Sequence, residues 1–232
     1  MAVYFAQFEL TESADSCYDR LVVGIRRSGA MSQTTFCTLN YECLLEFAIG
    51  RDGTPATYLA PDRSIPNGQL LKPHGSCNFV PPPERRNVQA LSFDLSANPD
   101  GASIADYPAL PVRPVEVAKI YNDGQELAIP PIICAYAPGK RTPVSKGLIQ
   151  QLRDRWRSTC ERADRIFIIG ARVNADDDHV FAPVLESKAS LWFVGADQDF
   201  AHLRELRLKR ANHLGSTFDQ ALPAILKRLS PR

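Results

Sequence analysis

Polar side chains suited to chemistry follow three apolar, strand-like segments of the chain. Asn40 and Glu42 lie two residues apart just after residues 34–39, so that an amide and a carboxylate can face one ligand. His74 follows residues 69–72 and lies between a proline and a glycine, which hold it rigidly. An imidazole in such a position can act as a general base near neutral pH.

Asn40 and His74 also have purely structural interpretations. Asn40 is a typical N-cap for a helix over 41–49, because its side chain can accept a hydrogen bond from a free backbone N–H. His74 can equally be a loop histidine that is hydrogen-bonded to the backbone. Gly75 allows a positive φ or the close approach of a ligand. Both interpretations stay open from the residues alone.

A third polar group follows the most apolar segment of the chain, residues 165–169. Gly170 lets a phosphate or ribose approach the backbone, and three aspartates and His179 follow in residues 176–179. Aspartates at a helix N-terminus are favoured by the helix dipole, and this capping role is the alternative to a binding role. The consecutive spacing fits no familiar set of metal ligands, so no metal site is predicted.

The elements that would position these residues alternate between strands and helices. Strands are predicted at 34–39, 69–72, 131–136, 165–170 and 191–194, and helices within 1–30 and at 41–49, 144–163, 178–185, 199–212 and 217–229. The strand at 165–170 is apolar on both faces, as a central parallel strand should be. This order predicts an α/β fold with a doubly wound parallel sheet, which binds ligands at the carboxyl ends of its strands.

Proline marks an insertion in this pattern. Residues 73–143 hold 12 of the 18 prolines and only weak strand patterns, at Val88–Leu95 and Val112–Tyr121. A long stretch without regular structure is unusual inside a domain. We therefore predict a single domain over 1–232 with an irregular inserted lobe at about 80–130.

Composition excludes several classes of protein. The net charge is +1, so no overall field attracts nucleic acid or a membrane. The basic residues of 201–232 alternate with leucines, which is typical of amphipathic surface helices. We expect no membrane segment, because no apolar run is long enough, and no signal peptide. The six cysteines contain no CxxC pair, and their apolar surroundings suit reduced thiols in the cytoplasm.

Three motifs in order resemble the SIR2-like (sirtuin-related) NAD-binding family of bacterial type. Residues 38–42 with 44–46 (TLNYE, LLE) resemble its T-x-N-Y-D-x-L-L-E segment, and residues 70–78 (LLKPHGSCN) resemble its K-x-H-G-S-x-N segment. Residues 163–177 resemble its A-D-strand-G segment that ends in aspartate. The resemblance spans roughly residues 30–197, apart from the lobe, and implies a Rossmann-like fold that binds NAD.

The resemblance implies roles for individual residues. His74 would be the general base, and Asn40 would position the nicotinamide ribose or a water molecule. Glu42 stands where the family has an aspartate near the nicotinamide, and Arg172 stands where a serine is usual. Further NAD contacts are implied for Thr38, Gly75, Ser76, Gly170, Arg172, Asn174, Asp177 and Gly195, of which Gly170 and Arg172 would border the phosphates and the adenosine ribose.

The resemblance implies an NAD⁺ hydrolase, with a role in anti-phage defence as in many bacterial relatives. A non-catalytic scaffold is the alternative, and a protein deacylase is less favoured because the zinc-binding CxxC pairs are absent. The family's first strand and G-A-G-x-S turn have no counterpart, since no G-x-G occurs in the chain. Three interpretations stand: an upstream segment supplies this strand, another segment or protein partner completes the sheet, or the chain is a reduced, non-catalytic relative.

Overall fold

The computed structural model describes residues 2–10, 15–51, 53, 56–59, 68–86, 109–122, 129–134, 146–206 and 211–229. These residues form a mixed α/β structure, as predicted. The α-helices are α1 (Ala2–Ala6), α2 (Cys17–Arg27), α3 (Leu44–Gly50), α4 (Pro114–Asn122), α5 (Lys146–Arg162), α6 (Asp178–Glu186), α7 (Asp197–Leu206) and α8 (Phe218–Leu229). The strands are β1 (Thr35–Cys37), β2 (Gln69–Leu71), β3 (Phe79–Val80), β4 (Leu110–Pro111), β5 (Arg165–Ile169), β6 (Ser190–Val194) and β7 (Ala211–Gly215).

The strands pair in three separate sheets among the described residues. β1 and β2 form a two-stranded parallel sheet, and β5, β6 and β7 form a three-stranded parallel sheet in that order. β3 and β4 pair antiparallel. The four parallel strands β1, β2, β5 and β6 lie where the sequence predicts them. A doubly wound arrangement of all the parallel strands stays a prediction.

Two strand predictions differ from the structure, and a third cannot be compared with it. Ile133 of the predicted strand 131–136 makes only an isolated antiparallel bridge with Gly75, and residues 135–136 lie outside the described part. β5 is buried on alternate residues rather than on both faces, because Ile166 and Ile168 point inward while Phe167 stacks on Trp192 of β6. The predicted strand 88–95 lies outside the described residues.

The predicted strand at Val112–Tyr121 is wrong, because Pro114–Asn122 forms the helix α4. Proline suits the first helical position, where its missing N–H is not needed. Val117, Ile120 and Tyr121 follow helical spacing and pack in one apolar cluster. The run of β-branched residues favoured a strand locally, and packing of this apolar stripe overrides that preference.

The predicted helix 199–212 is also corrected. α7 is described from Asp197 to Leu206, and residues 211–215 form the strand β7. The sequence of β7, ANHLG, has no β-branched residue and does not predict a strand. Parallel pairing with β6 stabilises it there, with Leu191 opposite Ala211 and Phe193 opposite His213.

The chain divides into two compact units. Unit 1 comprises residues 1–13, 37–47 and 72–152, and its helices α1 and α4 pack together. Its buried core contains side chains from several segments: Ala6, Cys43, Cys77, Val80 and Val117, with Phe5, Val112, Ile120 and Tyr121 against them. Residues 87–108 and 123–128 of the predicted lobe lie outside the described part.

Unit 2 comprises residues 14–36, 48–71 and 153–232 and contains the three-stranded parallel sheet. Its helices α2 and α8 pack together, and each buries an apolar face. Trp156 of α5 donates a hydrogen bond to the Val180 carbonyl of α6 at 2.9 Å. Within the described residues of either unit, the helices are too short or too polar to cross a membrane.

A capping box begins α2 in unit 2. The Asp19 N–H donates to the Ser16 hydroxyl at 3.1 Å, and the Ser16 N–H donates back to the Asp19 carboxylate at 3.3 Å. Arg51 also pairs with this carboxylate at 2.9 Å. Burial raises the pKa of Asp19, but the hydrogen bonds from Arg51 and Ser16 outweigh it and hold the pKa below its ordinary value.

We expect Asp19→Ala to lower the free energy of unfolding by about 1–2 kcal/mol at pH 7, the usual size of an N-terminal capping interaction. Because the folded-state pKa is lowered, this stabilisation is present above the ordinary pKa of aspartate. It is lost as the pH falls through the lowered value. Urea unfolding of both proteins at pH 7 and pH 3 measures the difference, which should shrink at the lower pH.

Asp219→Ala is the matched control. This carboxylate pairs with Arg20 but is 64% exposed, so its loss should change the unfolding midpoint little. A difference between Asp19→Ala and wild type that is equally large at both pH values would contradict the role assigned to the charged capping box.

Candidate functional site

The loop that carries His74 is buried throughout. Every residue from 68 to 82 is buried, and His74 itself is only 2% exposed. Lys72, Ser76 and Asn78 are buried polar residues of the same stretch. A buried polar stretch must satisfy its hydrogen bonds within the protein. The loop therefore has a specific set of internal partners, which hold it in one conformation.

A backbone crossing fixes this loop at Gly75. The φ of Gly75 is +80°, and a Cβ at this position would lie 2.0 Å from the Ile132 carbonyl oxygen. On either side of the crossing, the Ser76 N–H donates to the Ile132 carbonyl at 2.9 Å, and the Cys134 N–H donates to the His74 carbonyl at 2.8 Å. The predicted positive φ of Gly75 is confirmed, and the group that approaches its backbone closely is the Ile132 carbonyl.

Asn40 and Glu42, which the sequence predicts to face one ligand together, are hydrogen-bonded to each other in the structure. The Asn40 side-chain N–H donates to Glu42 Oε1 at 2.8 Å, and the Leu44 N–H donates to Glu42 Oε2 at 2.6 Å. The alternative role of Asn40 as N-cap of a helix 41–49 is wrong, because α3 begins at Leu44 and Glu42 satisfies its first N–H. Asn40 is exposed, and its N–H is 3.2 Å from the Thr38 hydroxyl.

The segment 40–43 lies directly against the His74 loop within unit 1. The Cys77 N–H donates to the Tyr41 carbonyl at 2.9 Å, and the Ser76 hydroxyl donates to the same carbonyl at 3.4 Å. The Cys43 thiol lies 3.7 Å from that of Cys77. This hydrogen bond and burial raise the pKa of the Cys43 thiol, which makes it a structural rather than a reactive group.

Lys72 is a residue of this site that the sequence prediction did not assign. Its side chain is fully buried, and its ammonium donates to the Glu42 carbonyl at 2.5 Å and to Glu46 Oε1 at 2.8 Å. Burial lowers the pKa of Lys72, but the negative charge of Glu46 outweighs this effect and raises the pKa above its ordinary value. Lys72 therefore carries a positive charge inside unit 1.

The other predicted contact residues lie in unit 2, after β5 and β6. Gly170 directly follows β5, and its N–H donates to the Val194 carbonyl at 2.9 Å. Arg172 has an exposed side chain, and its Nε lies 3.4 Å from Asp199 Oδ1. The Asn174 side chain accepts from the Asp176 N–H at 3.2 Å. Asp177 is buried just before α6, and Gly195 follows β6.

His213 is a further polar side chain at this end of the sheet. Its Nε2 lies 2.9 Å from the Gly195 carbonyl, and its Nδ1 lies 3.3 Å from the Asp197 carboxylate. Its ring stacks on Phe200 at 4.7 Å. Sequence reasoning missed it because β7 lacks a strand pattern, and only the pairing with β6 brings position 213 beside Gly195.

Comparison with known proteins does not identify the chain. No protein-family model matches it, and no curated protein is significantly similar to it.

We expect Gly75→Ala to lower the free energy of unfolding by at least about 3 kcal/mol, the upper end of the usual cost of backbone strain. The added methyl would collide with backbone, which cannot move aside like a flexible side chain. Denaturant unfolding monitored by circular dichroism measures the effect.

Gly29→Ala is the matched control, because Gly29 also has a positive φ of +73° but no atom within 4 Å of an added Cβ. It should cost only about 1–2 kcal/mol, the left-handed penalty alone. Equal effects of the two substitutions would contradict the crossing as the cause.

Proposed function

We propose that this protein is an NAD⁺ hydrolase of SIR2-like type, which uses water to release nicotinamide and ADP-ribose from NAD⁺. The observation that carries the proposal is the exposed Asn40–Glu42 pair, packed within unit 1 against the loop that carries His74. An amide, a carboxylate and an imidazole on two adjoining segments are the groups that such a cleavage needs.

Each group has a part in this reaction. The bond between ribose C1′ and the nicotinamide nitrogen breaks, and its electron pair leaves with the nicotinamide. Positive charge then develops on the ribose, which the Glu42 carboxylate stabilises. Water forms the new bond to C1′ and gives its proton to His74. Asn40 holds a ribose hydroxyl or the water in place for this attack.

The fold of unit 2 supports nucleotide binding in its own right. Gly170, Arg172 and Gly195, which the resemblance assigns to the phosphates and adenosine, follow the carboxyl ends of parallel strands. Ligands of α/β proteins bind at this edge of a parallel sheet. The six cysteines are free, and we place the activity in the cytoplasm, where thiols stay reduced.

A non-catalytic SIR2-like module is the second candidate, and the burial of His74 favours it. His74 is only 2% exposed, so its imidazole can act as a base only if the bound substrate reaches the buried loop beside it. The same candidate agrees with one of the three interpretations of the sequence, that of a reduced relative, since these 232 residues contain no G-x-G.

Nicotinamide release from NAD⁺ by the purified protein tests the first candidate. We expect His74→Ala to lower kcat by about 100-fold or more, as for the loss of a general base. Asn40→Ala should lower it by a smaller factor. His202→Ala is the matched control, because His202 lies half exposed on α7 in unit 2 and should leave the rate unchanged.

Wild-type release that persists unchanged in a folded His74→Ala protein would overturn the assigned base. If the wild-type protein releases no nicotinamide, calorimetry with NAD⁺ separates the remaining possibilities. Binding without cleavage supports the non-catalytic module, and an absence of both binding and cleavage contradicts the NAD assignment itself.

A further inference from the structure

Lys72 is a charged side chain that is fully buried, and the proposed reaction assigns it no task. Its ammonium pairs with the Glu46 carboxylate, which is only 9% exposed. Removing two charges from water costs about as much as their attraction returns. Apolar side chains of similar size therefore fill such a place with equal or greater stability. The ion pair calls for an explanation other than stability.

The second contact of the ammonium provides one. Lys72 Nζ also donates to the main-chain carbonyl of Glu42 at 2.5 Å. Glu42 in turn uses both carboxylate oxygens, accepting from the Asn40 side chain through Oε1 and from the Leu44 N–H through Oε2. The backbone and the side chain of Glu42 are thus both held. The buried Lys72 ammonium, just after β2, is therefore connected by hydrogen bonds through Glu42 to the exposed side-chain amide of Asn40.

The direction of these bonds decides which atom of Asn40 a ligand meets. Because the Asn40 side-chain NH₂ donates to Glu42, its carbonyl oxygen Oδ1 is directed away from Glu42. An amide oxygen accepts hydrogen bonds and donates none. The group that it recognises must therefore carry an O–H or N–H, as a ribose hydroxyl or a water molecule does.

We propose that Lys72 is a positioning residue, which, paired with Glu46, holds Glu42 so that Asn40 presents its amide oxygen to a ligand hydroxyl. The role in catalysis rests on the proposed function, whereas the positioning of Asn40 does not. A merely structural role for the ion pair predicts that an apolar pair of equal size replaces it without consequence.

The test is the double variant K72M/E46M, which exchanges the ion pair for two side chains of similar length. We expect it to unfold at nearly the wild-type urea concentration. Its kcat for nicotinamide release should fall about 10- to 100-fold, the usual effect of losing a group that orients a reacting residue. Its KM should change less than about threefold, because Asn40 and the other contacts remain present.

The matched control is R51M/D19N, which removes a second ion pair located in unit 2 and unconnected to Asn40. It should leave kcat unchanged at a temperature where it is folded. If the K72M/E46M protein does not fold, K72M/E46Q replaces it in the same measurements, because this variant keeps a hydrogen-bonding group at position 46. Full kcat in either folded Lys72 variant would overturn the catalytic part of the proposal.

A readout independent of activity covers the case in which the proposed function fails. In ¹⁵N–¹H spectra without NAD, the Asn40 side-chain amide and the Leu44 N–H should shift in K72M/E46M. Hydrogen exchange at Leu44 should accelerate at least about tenfold. Unchanged signals and exchange would overturn the positioning itself. If wild type cleaves no NAD⁺ but these changes occur, the hydrolase assignment is wrong and the positioning by Lys72 stands.

Discussion

One close backbone contact controls the geometry of the His74 loop, namely the approach of Gly75 to the Ile132 carbonyl. No residue with a Cβ fits there, since the added atom would lie 2.0 Å from that oxygen. The contact brings two hydrogen bonds with it, one on each side, through the Ser76 N–H and the His74 carbonyl. Three consecutive residues are thereby held against residues 132–134. The backbone position of His74 therefore follows from this crossing.

A buried loop of polar residues must then satisfy its polar groups internally, because an unpaired buried group costs about 1–3 kcal/mol. Ser76 donates to the Tyr41 carbonyl, the Asn78 amide donates to the Val112 carbonyl at 3.1 Å, and Lys72 pairs with Glu46. Each partner belongs to a segment distant in sequence. The polar composition of residues 72–78 is typical of an exposed loop, and these partners allow it to be buried.

The local pattern of apolar residues was sufficient to predict the helices and strands whose own sequence has a clear periodicity. α5, β5, β6, α6 and α8 lie within a few residues of their predicted positions. The predictions failed where distant contacts decide the structure: β7 is a strand because β6 pairs with it, and α4 is a helix because its apolar stripe packs in unit 1. At the site, the spacing of Asn40 and Glu42 was enough to predict that they lie side by side, whereas the hydrogen bond between them appears only in the structure. Lys72 was not predictable, since its role depends on Glu46 and the Glu42 carbonyl.

The two candidate functions differ in what they require of this interior. A scaffold requires only that the loop be stable, and for stability an apolar pair would serve as well as Lys72 and Glu46. A catalyst requires its groups to be oriented before the substrate arrives, and fixed dipoles and charges provide that orientation at no cost during the reaction. The buried Lys72 ammonium is connected through Glu42 to the exposed Asn40 amide. This connection provides the orientation that a catalyst requires, and the stability that a scaffold requires does not depend on it. For this reason the Lys72–Glu42–Asn40 connection supports a reacting site more strongly than the burial of His74 counts against one.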